Sequence, residues 1–157
     1  MFYTQMDSPI GNLVLTSDGT ALTGIFHPHQ KRYAKILENS KQQSALFADA
    51  LAQLQEYFAG TRKTFTLSLS PHGTAFQHKV WEALCKIPYG ETTSYIGIAK
   101  SLGKPTASRA VGMANGKNPL PFIVPCHRVI GSNGKLTGYA GGLEMKQWLL
   151  THETKYK

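Results

Sequence analysis

The sequence predicts an α+β protein in two parts, residues 1–70 and 71–157. Three observations predict it. Short apolar runs separated by turn residues open the chain, apolar residues at helical spacing dominate after Phe47, and a Pro- and Gly-containing stretch, Ser70-Pro71-His72-Gly73-Thr74, coincides with a change in charge. The 157 residues are 41% hydrophobic and 17% charged, which suits buried cores and excludes a disordered chain. No repeat is visible, and the longest apolar runs, such as residues 120–124, are far too short to span a membrane. The start, MFYTQMDSPIG, lacks the basic-then-apolar pattern of a signal peptide, so a cytoplasmic location with free thiols is expected.

Residues 2–7, 12–17 and 21–26 read as three short strands. The breaks between them, Ser8-Pro9-Ile10-Gly11 and Asp18-Gly19-Thr20, have good turn chemistry, so the strands should be antiparallel neighbours. Residues 27–43 are polar and read as loop or short helix. Phe47, Ala50, Leu51, Leu54, Tyr57 and Phe58 then recur at helical spacing, and Gly60 closes the run. Residues 65–69 are a candidate fourth strand.

In the second part, Phe76, Val80, Leu84 and Ile87 mark a helix that ends before Pro88-Tyr89-Gly90. Cys85 falls inside this pattern and is expected to be a small buried thiol. Thr92-Thr93-Ser94 offers N-caps for a helix with Ile96, Ala99 and Leu102, which Gly103-Lys104-Pro105 stops. Thr106 can cap a second short helix over residues 107–114, and the pair reads as a helix-turn-helix. In that helix Ala107, Ser108, Ala110, Gly112 and Ala114 are all small, and Arg109 is the one long polar side chain. Such a helix either approaches a surface closely or packs tightly in a core; composition does not separate the two. Residues 120–124 are apolar but broken by Pro121, hence buried without being a central strand. They lead to Pro125-Cys126-His127-Arg128. Residues 129–136, with Ser132-Asn133-Gly134 at the middle, suggest a tight hairpin, and residues 143–153 a helix with Met145, Trp148 and Leu149 on one face.

Charge is unevenly shared. Lys and Arg number 17 against 9 Asp and Glu, giving +8 overall. Residues 1–72 hold 6 basic and 5 acidic side chains, and residues 73–157 hold 11 and 4. The second part is therefore the better candidate to meet a polyanion, although solubility alone explains excess charge as well.

The two cysteines, Cys85 and Cys126, are far apart, which argues against a Cys-based zinc site. Cys126 has the more reactive surroundings: His127 and Arg128 follow it, nearby positive charge favours thiolate, and a histidine can take the thiol proton directly or through a water. That histidine needs a partner on its other nitrogen; downstream, Glu144 and Glu153 are available, and spacing does not choose between them. Adjacent side chains in an extended chain point apart, so the Cys-His pair alone is weak evidence, and it is unlike thiol proteases, whose His is remote.

The longer string is more specific. IVPCHRVIGSNGKLTGYAGGLEMKQWLLTHE, with YGETTSYIGIAKSLG and SRAVGMANGKNPLP upstream, resembles the signature region of the DNA-protein-cysteine alkyltransferases, which repair guanine alkylated on oxygen 6. The resemblance is strong over residues 73–157 and loose before. It implies a small ribonuclease-H-like α+β domain followed by a winged helix-turn-helix alkyltransferase domain. It also implies irreversible transfer from 6-O-methylguanine in double-stranded DNA to Cys126, one event per protein, with 4-O-methylthymine a further candidate lesion. Non-catalytic relatives have tryptophan at this position, whereas here it is Cys126. By the same resemblance His127 relays the proton through a water, Glu153 orients His127, and Asn118 braces the turn carrying Cys126. Tyr95 sits near the base and its 3′ phosphate and can donate a proton to the leaving guanine. Tyr139 walls the base pocket, to which Pro121 also belongs, and the backbone of Val129 and Ala140 reads the base edge. Arg109 fills the hole left by the extruded guanine, while Ala107, Ala110 and Gly112 let their helix lie in the minor groove. A monomer without cofactor is implied. Some relatives hold a structural zinc in the first domain, but no cysteine precedes Cys85, so no metal is expected despite His27 and His29. Two other readings compete: a non-enzymatic winged-helix DNA binder, which has no need of Cys126, His127 and Glu153, and a thiol hydrolase, which has no need of DNA.

Overall fold

Phe2–Ser8 (β1) and Gly11–Ser17 (β2) pair antiparallel, and Leu22–Phe26 (β3) adds to β2, in a computed structural model that describes residues 1–136, 139 and 142–157. The turns are held by their own side chains. Ser8 Oγ donates to the Gly11 carbonyl at 2.7 Å, and the Asp18 carboxylate accepts from the Thr20 and Ala21 amides at 2.9 and 3.0 Å. Lys41–Gln42 (β4) pairs parallel with the start of β1, giving the order β3-β2-β1-β4. Lys31–Asn39 (α1) forms where the sequence allowed a short helix, and Ala48–Ala59 (α2) where the apolar spacing placed one. Val14, Phe26 and Ile36 cluster beneath Tyr3, Tyr33 and Leu37, so α1 covers one face of the sheet. Leu13 and Leu15 alternate with Val14 and so point to the opposite face, where they too are buried. The buried face of α2 carries Ala50, Leu54 and Tyr57. Each such side chain contributes about 1.5–3 kcal/mol of burial. Gly60, at φ +85°, closes α2 in the left-handed conformation that glycine adopts without strain.

Residues 65–69 are not the strand expected of them. They touch β3 through one bridge, Leu22 to Leu69, while Gln53 of α2 bonds both the amide and the hydroxyl of Thr66. A side chain thus takes the backbone contacts a neighbouring strand would need.

The chain divides into two compact units, Met1–His72 and Gly73–Lys157. The second begins with Ala75–Leu84 (α3), started by a reciprocal cap between Thr74 and Gln77. Cys85 follows the end of α3 and is exposed, so the buried thiol expected there is corrected: the helix stops at Leu84, three residues before Ile87, the last residue of its apolar pattern. Ser94 caps Tyr95–Ser101 (α4), its hydroxyl accepting from the Gly97 amide at 2.9 Å. Gly97 leaves room for this close approach, since a β-carbon there would lie 2.5 Å from Thr93 Oγ1. Ser108–Gly116 (α5) completes the three-helix core, in which the Trp81 indole donates to the Ala114 carbonyl at 2.9 Å. Thr106 does not cap α5; Ala107 holds that position and offers no side-chain bond.

The expected hairpin at residues 129–136 is also corrected. The Ser132-Asn133-Gly134 turn closes through Gly131 N–H to the Lys135 carbonyl at 2.9 Å, but Val129–Ile130 (β6) pairs parallel with Thr93–Ser94 (β5) rather than with residues 135–136. Leu143–Lys155 (α6) buries Lys146, Leu149, His152 and Glu153, not Met145 and Trp148; Trp148 instead stacks on His152 at 4.7 Å. Among the described residues no helix is long and apolar enough to cross a membrane.

Candidate active site

The segment before Cys126 is folded tightly on itself. Asn118 anchors it at both ends: its Nδ2 donates to the Val124 carbonyl at 2.8 Å, and its Oδ1 accepts from the Leu120 amide at 3.0 Å. The Val124 amide returns to the Leu120 carbonyl at 2.9 Å, and the Cys126 amide to the Val124 carbonyl at 2.8 Å. Phe122, at the bend, has φ +72°, a conformation that disfavours any side chain with a β-carbon; its ring is fully buried, which holds it there. Cys126–Arg128 then forms one turn of 3-10 helix, so Cys126 and His127 are not splayed as neighbours in an extended strand would be.

The ring of His127 is completely buried, and its Nε2 lies 2.6 Å from Glu153 Oε2. The same carboxylate accepts from Arg128 Nε at 2.8 Å, Arg128 Nη2 at 3.1 Å and the Gly90 amide at 3.2 Å. Arg128 Nη1 donates to the Ile87 carbonyl at 2.7 Å. Burial opposes ionisation of Glu153, but the hydrogen bonds and charges of His127 and Arg128 outweigh it and hold the carboxyl well below the usual carboxylate range. Glu144, the other candidate acid, is exposed.

These contacts fix the state of the imidazole. Burial pushes His127 below its ordinary value, against the opposing pull of Glu153, so the ring is neutral. A carboxylate can only accept, so Nε2 carries the hydrogen and Nδ1 carries a free lone pair. Nδ1 is buried and has no protein hydrogen-bond partner among the described residues. That lone pair makes Nδ1 the basic nitrogen of the ring.

Burial likewise pushes the Cys126 thiol above its ordinary value. Hydrogen bonding to Asn118, the charge of Lys146 and hydrogen bonding to Tyr139 pull the other way without cancelling it. The expectation that neighbouring Arg128 favours thiolate is therefore corrected: its guanidinium is turned to Glu153, and the resting sulfur keeps its proton.

Tyr95, Arg109 and Gly112 share a groove of about 400 Å³ with Asn133, and Arg109 is exposed on it. On α5, Val111, Ala114 and Asn115 are buried while Arg109, Ala110 and Met113 are exposed, so the small-residue helix packs inward on one stripe and leaves the other open. Ala107 is half-buried at the start of α5, Pro121 is half-buried, and Val129 is fully buried beside the Cys126 turn. Ala140 lies outside the described residues. Sequence reasoning missed Arg128 as the counter-ion of Glu153, and Lys146 and Asn115 altogether. Asn115 Nδ2 donates to the Cys126 carbonyl at 3.4 Å.

A buried cysteine next to a neutral imidazole whose free nitrogen awaits a proton, on a basic helix-turn-helix unit, places the site in the class of cysteine nucleophiles carried by such scaffolds. Known proteins sharpen this. Residues 1–71 match the family model of the 6-O-methylguanine DNA methyltransferase ribonuclease-like domain, and residues 75–155 that of the 6-O-methylguanine DNA methyltransferase DNA binding domain. A methylated-DNA–protein-cysteine methyltransferase of Methanosarcina acetivorans is 49% identical over 153 residues, 98% of both chains. The constitutive methylated-DNA–protein-cysteine methyltransferase of Bacillus subtilis is 48% identical over 156 residues, 97% of this chain and 94% of its own. The crystal structure of Mycobacterium tuberculosis OGT in complex with DNA matches with a TM-score of 0.92 at 47% identity, over 99% of this chain and 94% of that one. The chain belongs to the 6-O-methylguanine DNA methyltransferase family.

Proposed function

We propose that the chain repairs DNA by direct reversal, moving the alkyl group of 6-O-methylguanine in duplex DNA onto Cys126, once per molecule. The observation that carries this reading is the free Nδ1 of His127, a base fixed by Glu153 in the residue next to a buried thiol. The thiol proton passes to that nitrogen through a water, and the sulfur attacks the alkyl carbon. A carbon–sulfur bond forms as the carbon–oxygen bond breaks, and its electron pair stays on oxygen 6. Guanine takes up one proton from Tyr95, and the proton that His127 took from the thiol is released through water as Tyr95 is reprotonated, so none is gained or lost overall. Glu153 stabilises His127 as its ring gains charge. The product is a thioether that nothing in the site reverses, so the protein is consumed.

The base must leave the stack to reach the sulfur, at a cost of roughly a few kcal/mol. Arg109, exposed beside Tyr95 and Gly112, is the side chain to fill its place. The open stripe of α5, with Ala110 and Gly112, lets the helix enter the minor groove, and the protein acts as a monomer, while Tyr139 and Pro121 wall the base and the backbone of Val129 reads its edge. The basic residues of the second unit hold phosphates without reading sequence. The reactants are met inside a cell, in the cytoplasmic compartment.

Incubation with duplex DNA carrying 6-O-methylguanine tests this. Mass spectrometry is expected to find one methyl group on the Cys126 peptide, at no more than one equivalent per protein. Catalytic turnover, or protein that binds the lesion and stays unmodified, would overturn it.

A further inference from the structure

Arg128 and His127 share the carboxylate of Glu153 on unequal terms. Arg128 spans both oxygens, Nε to Oε1 at 2.8 Å and Nη2 to Oε2 at 3.1 Å, while His127 Nε2 meets Oε2 alone at 2.6 Å. A buried carboxylate paired with nothing but a histidine draws a proton onto that ring, and a protonated ring takes no proton from a thiol. The fork of Arg128 balances the charge instead, but only while the guanidinium is held against the carboxylate. The segment after α3 holds it there. Arg128 Nη1 donates to the Ile87 carbonyl at 2.7 Å, and its Cζ lies 5.6 Å from the centre of the half-buried Tyr89 ring, within cation–π range. Gly90, at φ +77°, turns its amide to Glu153 Oε1 at 3.2 Å, so Pro88-Tyr89-Gly90 wraps the ion pair from one side.

We propose that Tyr89 is a positioning residue for the transfer: its ring backs the Arg128 guanidinium, so that Arg128 and not His127 balances the charge of Glu153 and the imidazole beside the thiol stays a base. This rests on the reading of His127 as the group that takes the thiol proton. Burial pushes His127 down, Glu153 pulls it up, and the charges of Arg128 and Lys146 push it down again. Loosening Arg128 removes part of that downward push. The charged and titratable groups around the cluster are Glu153 and Lys146 from α6, Cys85 beyond the end of α3, Tyr89 after it and Cys126 beside His127; Tyr156 acts on Tyr89 in turn.

The test needs no DNA. The ring nitrogen resonances of His127 are titrated with pH in nitrogen-15-labelled wild type, Tyr89→Leu and Tyr89→Phe. Tyr89→Leu is expected to raise the His127 midpoint by about one pH unit, and Tyr89→Phe, which keeps the ring, to return it close to the wild-type value. An unchanged midpoint in folded Tyr89→Leu, including a ring that stays neutral in both proteins down to acid unfolding, or a rise that Tyr89→Phe shares in full, would overturn the proposal. Should Tyr89→Leu fail to fold, a Tyr89→Phe variant with a pentafluorinated ring decides, because it keeps the shape and reverses the charge of the ring face. It is expected to raise the midpoint, and a value equal to that of plain Tyr89→Phe would refute the cation contact. On lesion-bearing duplex the acid limb of the single-turnover rate should move with the midpoint. At a pH on the wild-type limb Tyr89→Leu should transfer about tenfold more slowly, with the gap closing as pH rises; the same loss at every pH would mark lost packing and overturn the proposal. Failure of wild type to take a methyl group from DNA would instead sink the reading of function and leave the titrations untouched.

Discussion

Glu153→Gln removes one negative charge and little else, which makes it the sharpest probe of the site. The carboxylate accepts hydrogen bonds at 2.6 Å from His127, at 2.8 and 3.1 Å from Arg128 and at 3.2 Å from the Gly90 amide, and the residue is 1% exposed. An amide offers one acceptor oxygen and puts an NH2 group among these donors. Arg128, itself buried, is left charged without its counter-ion, a situation that costs about 3–5 kcal/mol. Urea unfolding followed by tryptophan fluorescence reads the right unit, because Trp81 and Trp148 both lie in Gly73–Lys157. With a slope near 2 kcal/mol per molar, the midpoint should fall by roughly 2 M. The pH dependence has a definite sign. Glu153 is held below its ordinary value, so its stabilisation is fully present above that value and fades as pH falls through the folded one; the gap between wild type and Glu153→Gln should therefore narrow in acid. Single-turnover transfer should slow by roughly 10²-fold or more, while lesion binding changes little. A loss below about 1 kcal/mol with unaltered pH dependence would refute the reasoning, because an exposed ion pair contributes that much.

Cys126→Ser should abolish transfer yet still shift lesion-bearing duplex in a gel, since hydroxyl is a poor nucleophile near neutral pH; Cys85→Ser should transfer normally, and a methyl group found on Cys85 would contradict the assignment. Arg109→Ala should slow transfer from duplex DNA at saturating protein but leave transfer from the free modified base nearly unchanged; a mismatched partner base should restore part of the duplex rate. Equal losses on both substrates would make Arg109 structural. Asn118→Ala should cost about 1–3 kcal/mol in the same unfolding assay, because the Leu120 amide and Val124 carbonyl both lose their partner, and should lower the transfer rate through the Cys126 turn.

Local chemistry was what the residues made legible. The two tight turns between β1, β2 and β3 depend on side chains within three residues, and Gly60 ends α2 for a reason visible in the string itself. Features set by distant partners were hidden. Residues 65–69 have a β-rich composition, but whether they become a strand depends on Gln53. Val129–Ile130 finds its partner at Thr93–Ser94, more than thirty residues away, and no turn dipeptide announces that. The acid was undecided between Glu144 and Glu153 until α6 was placed, because a helix face is settled by what packs on it. One missed signal was present: Leu149, Glu153 and Lys146 fall on a common helical stripe, and a lysine on the buried stripe of a helix is worth asking about.

A protein that works once is a stored reagent, and stored reagents must survive waiting. Cys126 is almost wholly enclosed, and burial keeps its sulfur protonated. Peroxides and stray electrophiles react with accessible thiolate, so the resting molecule offers them little. Cys85 is exposed, and its oxidation would cost nothing the site requires. Storage lifetime under oxidant, and not speed alone, is then part of what the enclosure of that sulfur provides.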